Sequence, residues 1–440
     1  MTSPPRPTPE TTPENWQENG RYSFRHVDDI LDTVDIENQG PTVPLESAAN
    51  WIKPDDIHLG LNDTTPTVRK IIDETQTDGW MVLHRDEVVF EEYPDLPQAG
   101  NPRIGRMWSS TPHLLMSVTK SITGTIAGIL EHGDGTAANP PGVLKPALKV
   151  TDYVPELDKS GYAHVSVRDV LDMRTPIKYS EDYTDDNSEV KKMEAAAGWL
   201  PMPVPTPPDP EWERNTKDFL RKLEKEEDSD YPADGKPFAY RSCDAGVAGW
   251  ICERAYQMAN GKYKSFADLV SDLLWSKLGV ERDAYISVDA NGTGAFDGGM
   301  CATLRDLARF GAMICRDGES LPSTPKGSGQ RVVKKDWVDD IFTAKDTEEA
   351  FKKKAGVMRM EGGKYRSLFW APTEDRDVVV CIGVYGQMVY INRKTKMVGV
   401  KLSSRPRSVA TDDEGGAWGN GYPAFEMFRA IDKHLQDTRP

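Results

Sequence analysis

Apolar and polar residues alternate in a way that predicts β-strands near both ends of the chain. Residues 79–92 carry β-branched and aromatic side chains on both sides of Arg85 and Asp86, which indicates a hairpin that turns at these two residues. Residues 378–402 predict long antiparallel strands on either side of a polar turn at 392–396. The two ends are therefore expected to supply the strands of one sheet.

Apolar residues at helical spacing predict a buried helix between these strands. Within residues 117–130, Ile122, Ile126 and Ile129 recur on one face, and nearly all other positions are Ser, Thr, Gly or Ala. Because neighbours can approach small residues on every side, this helix is expected to run through the middle of a domain. Further helices are predicted after the N-cap residue Ser166 and over residues 217–229, 244–258, 303–315 and 423–437.

The order of these elements predicts an α+β chain in three parts. Residues 1–60 are interpreted as a partly disordered N-terminal extension. Its first 20 or so residues are rich in Pro, Thr and Glu and are expected to be disordered or to pack only loosely on the protein. Residues 61–150 and 285–440 are expected to build a sheet domain, and residues 151–284 a mainly helical domain. Six prolines within residues 201–210 predict an extended loop.

The charge balance argues against several classes of partner. The chain has 54 basic and 70 acidic groups among 440 residues and a net charge of −16, whereas nucleic acids and anionic membranes attract basic clusters. No apolar run reaches the 18 or so residues of a membrane span, and residues 1–7 lack the apolar segment of a secretory signal. The expectation is a cytoplasmic protein; a homodimer is one candidate for its oligomeric state.

Most signatures of metal, cofactor and hydrolase sites are missing. The five cysteines are scattered without a C-x-x-C pair or a cluster at zinc spacing, which favours buried thiols in a reducing compartment. The seven histidines are unpaired, and the G-x-S-x-G, H-E-x-x-H, Walker and G-x-G-x-x-G motifs are missing. No metal and no organic cofactor is expected.

The S-x-x-K motif remains as the candidate for chemistry. It occurs three times, as Ser117/Lys120, Ser188/Lys191 and Ser323/Lys326. The third copy lies in a flexible Pro/Gly-rich turn, and the second lies among charged residues that would keep its lysine solvated. The first copy opens the buried helix, so it is the preferred candidate.

That position suits a nucleophile. Residues three apart share a helix face, so the Lys120 amine can reach the Ser117 hydroxyl. A helix N-terminus favours the negative charge that develops on an attacking serine, and burial would lower the pKa of Lys120 toward a usable base. The alternative is an N-cap serine with an unrelated lysine.

The segment Met116–Thr123 resembles the nucleophile motif of the serine β-lactamase and penicillin-binding-protein superfamily. It is most similar to the branch of class C β-lactamases, carboxylesterases and 6-aminohexanoate-dimer (nylon-oligomer) hydrolases, over about residues 79–435. The supporting segments are His164–Leu171, Tyr240–Asp244, Leu274–Gly279 and Gly298–Gly311. The resemblance implies a β-lactamase/transpeptidase-like fold, with an antiparallel sheet built from both ends, flanking helices and a mainly helical insertion.

The resemblance also implies roles for individual residues. Ser117 would be acylated with Lys120 as its partner, and Tyr240 matches the tyrosine of the Y-x-S motif, whose phenolate would take the serine proton. Gly386 would be the glycine of the third motif, and the backbone N–H groups of Gln387 and Ser117 would form the oxyanion hole.

Substrate-binding residues follow from the same resemblance. Penicillin-recognising members carry Lys or His at the start of the third motif, where this chain has Val384 or Tyr385, depending on the alignment. Tyr183 is the candidate for a loop tyrosine that bonds the substrate amide, with Tyr179 as the rival. Tyr385, Gly386 and Trp370 are also expected at the pocket, although aromatic residues on late strands more often belong to a core.

The expected function is a serine hydrolase that cleaves small amides or esters through an acyl-enzyme. Linear amino-acid oligomers such as 6-aminohexanoate dimer are included among its substrates. The alternatives are a transacylase that uses the same residues, a β-lactamase or D-amino-acid peptidase, and a catalytically silent member that binds a ligand. Because neither Val384 nor Tyr385 supplies the cation of the third motif, the β-lactamase and D-amino-acid peptidase reactions are less expected.

Overall fold

The structure is a computed structural model that describes eleven stretches of the chain. They are residues 15–17, 19–60, 65–95, 106–136, 140–200, 215–226, 238–323, 327–343, 363–372, 376–408 and 423–439. The proline-rich segment 201–210, Lys326, residues 227–229 and most of the first 20 residues lie outside them. The predicted extent of the helix 217–229 is wrong, because the helix ends at Lys222 and Leu223 is already extended.

A seven-stranded antiparallel sheet forms the centre of the molecule. Its strands, in spatial order, are β3 (Glu87–Glu92), β2 (Thr77–His84), β11 (Met397–Ser403), β10 (Gln387–Asn392), β9 (Val378–Gly383), β8 (Phe369–Ala371) and β7 (Lys364–Arg366). Leu83 pairs with Val398, which lies 315 positions later. The expectation of one sheet built from both ends of the chain is confirmed.

The β2–β3 hairpin turns where the sequence predicts. Arg85 and Asp86 have φ angles of 53° and 71°, the two positive values that a two-residue type I′ turn requires. The prediction of unbroken strand through residues 378–391 is wrong, because a single 3₁₀ turn, Val384–Gly386, separates β9 from β10. Gly386, at φ 95°, has no Cβ to oppose this reversal.

A second antiparallel sheet of four strands lies beside the first. Its strands, in spatial order, are β1 (Thr33–Ile36), β5 (Ala284–Ser287), β6 (Met300–Ala302) and β4 (His113–Leu114). Because β4 ends three residues before Ser117, this sheet fixes the approach to the buried helix.

The described residues form twelve α-helices. They are α1 (Gly20–Ser23), α2 (Val68–Glu74), α3 (Val118–His132), α4 (Val150–Tyr153), α5 (Val167–Leu171), α6 (Glu189–Ala196), α7 (Thr216–Lys222), α8 (Ser242–Asn260), α9 (Phe266–Leu273), α10 (Leu304–Cys315), α11 (Lys335–Thr343) and α12 (Pro423–Thr438). Further 3₁₀ turns occupy Val27–Asp29, Pro54–Asp56, Pro155–Leu157 and Trp275–Lys277. Among the described helices, none has the length and apolar character to cross a membrane.

The helices cover both faces of the large sheet. A Cβ on Gly311 of α10 would meet Val398, whereas Phe428 of α12 packs against Gly399, the next residue of β11. Successive strand residues point to opposite faces, so α10 and α12 lie on opposite sides of the sheet. The chain is therefore built in layers around a buried sheet.

Helix α3 runs through the core as predicted, with every residue from Val118 to Leu130 buried. A Cβ on Gly124 would lie 2.1 Å from the Ser367 carbonyl oxygen, and one on Gly128 would lie 2.3 Å from the Trp337 ring. These two glycines therefore admit close neighbours, which compensates for their low helix propensity.

The first described residues are packed into the protein, in contrast to the expected disordered or loosely packed segment. Trp16 is 1% exposed and Phe24 is fully buried, and β1 completes the four-stranded sheet. The sequence misses this packing because single aromatic residues among Pro, Thr and Glu give no periodic signal.

Candidate active site

Ser117 stands at the N-terminal end of α3, directly after a strained backbone position. Met116 has a φ of 49°, a left-handed conformation that costs energy for a residue other than glycine. Although Ser117 occupies the N-cap position, its side chain makes no capping hydrogen bond. The hydroxyl faces Lys120 instead, which decides against the interpretation as a simple helix cap.

Lys120 is held against the serine by α3 and by the segment before β6. Its Nζ lies 2.9 Å from Ser117 Oγ, donates to the Asp297 carbonyl oxygen at 2.8 Å, and lies 3.8 Å from the Asp297 carboxylate. The side chain is 1% exposed, and burial lowers the pKa of Lys120, partly opposed by the charges of Asp297 and Glu181. A neutral amine is therefore more accessible here than on a surface lysine.

Tyr240 approaches the same hydroxyl from the segment before α8. Lys120 Nζ lies 5.2 Å from the centre of its ring, and the Ser117 hydroxyl is near enough to the phenol to act on its pKa, which it lowers. Loss of water around the phenol raises the pKa of Tyr240 well above its ordinary value, and the charge of Glu181 raises it further. This environment favours a neutral phenol, in contrast to the phenolate that the family resemblance implies.

Trp370 of β8 lies behind Tyr240 and not on the cavity surface. The two rings stack with centroids 5.2 Å apart, and Trp370 is 4% exposed. Trp370 therefore supports the position of the Tyr240 ring, and the structure gives it no place in the wall of the cavity.

Glu181 is a site residue that the sequence analysis did not single out. Its carboxylate accepts hydrogen bonds from the Ser242 N–H at 2.8 Å, the Ser242 hydroxyl at 2.6 Å and the Tyr183 hydroxyl at 2.8 Å. Burial raises the pKa of Glu181, and the nearby Lys120 opposes that change. The Glu181 carboxylate thus connects the loop that carries Tyr183 to the start of α8. Ser242, the serine of the Y-x-S motif, is the sequence feature that could have indicated this contact.

A cavity opens beside Ser117. It is lined by Met116, Ser117, Tyr183, Val190, Met193, Glu194, Ala197, Trp199, Ala295, Asp297, Gly298 and Val384. Of the two loop candidates, Tyr183 reaches this cavity, whereas the Tyr179 hydroxyl contacts the Met193 sulfur at 3.5 Å. Glu194 and Asp297 are its acidic lining residues, and no described lining residue is basic.

The third motif meets the cavity through the turn between β9 and β10. Val384 lines the cavity, and a Cβ on Gly383 would lie 3.0 Å from the Met116 Cβ. Gln387 is 1% exposed, and its side-chain amide is bonded to the backbone of Ser403 at 2.6 and 3.0 Å. Gln387, Tyr385 and Gly386 are not among the described lining residues.

The second S-x-x-K copy has a structural role. Ser188 caps α6 by accepting the N–H of Lys191, whose ammonium is paired with Glu194 at 3.0 Å. All five cysteines are buried and free. Within the described stretches, no group of three His, Cys, Asp or Glu side chains could hold a metal ion.

Comparison with known proteins identifies relatives across most of the chain. Residues 67–418 match the family described as Beta-lactamase. The chain is 34% identical over 401 residues to a 6-aminohexanoate-dimer hydrolase of Paenarthrobacter ureafaciens, covering 90% of this chain and 89% of that one.

Solved structures share the fold at lower identity. A Bacillus anthracis protein assigned as a 6-aminohexanoate-dimer hydrolase has a TM-score of 0.75 at 22% identity, with 99% of both chains covered. A family VIII carboxylesterase has a TM-score of 0.55 at 14% identity, covering 83% of this chain and 96% of that one. These likenesses agree with the β-lactamase/transpeptidase-like fold.

Proposed function

Since the chain belongs to the β-lactamase family of serine hydrolases, we propose that it hydrolyses small amides or esters through an acyl-enzyme on Ser117. One observation carries this assignment. The Ser117 hydroxyl lies 2.9 Å from the buried Lys120 amine, which lies 5.2 Å from the centre of the Tyr240 ring, beside an open cavity. A nucleophile, a base and a second proton carrier within reach of one another are what acyl transfer needs.

The lowered pKa of Lys120 and the raised pKa of Tyr240 support different roles for these two residues in proton transfer. Ser117 Oγ attacks the substrate carbonyl carbon while its proton passes to the neutral amine of Lys120. The resulting ammonium returns a proton through the Tyr240 phenol to the leaving amine or alkoxide, and the bond between the carbonyl carbon and that group breaks. Water then attacks the acyl-enzyme, with the same groups moving protons in the reverse sense, and the acid is released.

Two backbone N–H groups are expected to stabilise the oxyanion. Ser117 provides one because it lies at a helix N-terminus, where amide hydrogens lack partners in the helix. For the second, we propose Val384 in preference to Gln387, because Val384 borders the cavity whereas the backbone of Gln387 pairs with Gly383 in the sheet. One such donor is typically worth about 3–4 kcal/mol of barrier.

The cavity chemistry favours linear amides over penicillins. A penicillin carboxylate requires a cation, whereas the titratable acids Glu194 and Asp297 line this cavity and no described lining residue is basic. Apolar lining residues such as Val190 and Met193 suit an aliphatic chain. Together with the similarity to a 6-aminohexanoate-dimer hydrolase, these features support amino-acid oligomers with aliphatic chains as the substrate class.

The assignment is tested by replacing the nucleophile. Ser117→Ala is expected to abolish p-nitrophenyl acetate turnover and fluorophosphonate labelling, because both require the Ser117 oxygen. Ser188→Ala, the same change in a second S-x-x-K serine, should keep both activities. Retention of labelling by Ser117→Ala would refute the proposal. Turnover of 6-aminohexanoate dimer in preference to nitrocefin would support the substrate class.

A further inference from the structure

The first described residues form a layer behind one wall of the cavity. We define the N-terminal arm as residues 15–17 and 19–31. Trp16, Phe24 and Val27 of this arm belong to an apolar cluster that is separate from the main core. The buried members of the same cluster that line the cavity are Met116, Ala197, Trp199 and Ala295. The arm is therefore part of the packing that supports the apolar side of the site.

Trp199 is the cavity residue that the arm contacts directly. Trp16 donates its Nε1–H to the Trp199 carbonyl oxygen at 2.7 Å, and the two indole rings meet edge to face at 5.5 Å. On another side, Trp199 donates its own Nε1–H to the Ser287 hydroxyl of β5 at 2.9 Å. A Cβ on Gly298 would lie 3.0 Å from the Trp199 ring. The ring thus has a fixed place between the arm and the four-stranded sheet.

Trp16 is itself held on the body of the protein. The Ser23 hydroxyl donates to the Trp16 carbonyl oxygen, and the rings of Trp16 and Phe24 meet edge to face at 6.0 Å. The Leu114 N–H of β4 donates to the Phe24 carbonyl oxygen at 2.7 Å, and the Phe24 ring lies 5.0 Å from the Tyr385 ring. The arm can therefore transmit a fixed position to Trp199.

The wall that Trp199 forms faces the acyl part of a substrate. In the proposed reaction Tyr240 passes a proton to the leaving group, so the leaving group must lie beside Tyr240. Tyr240 is not among the described lining residues of the cavity, whereas Ser117 and Val384 are. The group that stays on Ser117 in the acyl-enzyme consequently occupies the cavity, against the ring of Trp199.

We propose that Trp16 is a positioning residue, which holds Trp199 as an apolar wall and so gives the enzyme a preference for long aliphatic acyl chains. The inference rests on the proposed function of this site. Without the Trp16 indole, the Trp199 carbonyl loses its donor and the Trp199 ring loses an edge-to-face neighbour. A long acyl chain then loses contact with the wall, whereas an acetyl group offers the wall only one methyl group.

The test compares kcat/KM for p-nitrophenyl hexanoate with kcat/KM for p-nitrophenyl acetate. The wild-type chain is expected to prefer the hexanoate, because the longer chain buries more apolar surface. Trp16→Ala should lower the ratio of the two values about five- to tenfold. Trp16→Phe keeps an aromatic ring and should restore part of the ratio. Trp51→Ala, at a tryptophan outside the arm that is 45% exposed, should leave the ratio unchanged.

Ser287→Ala provides a variant that is independent of how the arm packs. It removes the acceptor of the Trp199 Nε1–H and should also lower the ratio, because the ring is then held only from the side of the arm. Equal losses on the two esters in Trp16→Ala, an unchanged ratio in Ser287→Ala, or a wild-type chain without preference for the hexanoate would overturn the inference. Hydrolysis that survives Ser117→Ala would instead overturn the proposed function, so the two failures are distinguishable.

Discussion

Lys401 of β11 is a buried cation outside the active site, and its removal should stabilise the protein. The side chain is 1% exposed, and its Nζ donates a long hydrogen bond of 3.5 Å to the Thr75 carbonyl oxygen. Burial, followed by the charge of Arg405, lowers the pKa of Lys401 to about 7, partly opposed by Asp78. At neutral pH the folded state therefore holds this ammonium at a cost in free energy.

The size and sign of the effect follow from linkage. Each unit of difference between folded and unfolded pKa values is worth about 1.4 kcal/mol, so lowering the pKa of Lys401 from 10.5 to about 7 sets an upper bound of about 5 kcal/mol. Between these two values the unfolded chain binds more protons, so the free energy of unfolding rises with pH. Below pH 7 both states hold the proton and the penalty is full.

Lys401→Met should therefore stabilise the folded chain by about 2–5 kcal/mol at pH 6–7, an advantage that shrinks as the pH approaches 10. Urea unfolding at intervals from pH 6 to 9.5 measures this difference. Lys394→Met is the matched control, because Lys394 is exposed in the turn after β10. A Lys401→Met variant that is less stable than wild type, or whose advantage is the same at every pH, would refute the reasoning.

Two further predictions concern the reaction itself. Val384→Pro removes one N–H at the first position of a 3₁₀ turn, where proline is tolerated, and should lower kcat for p-nitrophenyl acetate about 10²–10³-fold. Val384→Ala keeps the N–H and most of the activity; equal losses in the two variants would contradict the role of that donor. Tyr240→Phe should slow amide hydrolysis about 10²-fold or more but p-nitrophenyl ester hydrolysis less, because p-nitrophenolate leaves without a proton. Parallel losses in steady-state assays of the two substrates would argue against proton delivery by Tyr240.

The sequence predicts the elements whose side chains repeat at a clear spacing. Helix α3 and the β2–β3 hairpin lie where the sequence puts them, because Ile122, Ile126 and Ile129 recur at helical spacing and β-branched and aromatic residues flank the turn at Arg85 and Asp86. The pairing of Ser117 with Lys120 is likewise local, since three residues on one helix share a face.

The remaining features depend on distant contacts or on single backbone angles. Nothing local to Trp16 indicates that its ring meets Trp199. The 3₁₀ turn at Val384–Gly386 interrupts an apolar run that otherwise resembles one strand, and Tyr385 takes a φ of 64° there without being glycine. Such angles are set by tertiary packing, so residue type alone does not reveal them.

The pairing of β2 with β11 has a consequence for biosynthesis. A ribosome must translate 315 codons beyond Leu83 before that residue can meet Val398. Until then the nascent hairpin exposes an unpaired strand edge, which invites association with other chains. Premature termination before β9 would also omit Val384 and leave Ser117 without its neighbouring turn. Only nearly full-length translation products can acquire activity, and chaperone protection should matter most while the middle third of the polypeptide is being made.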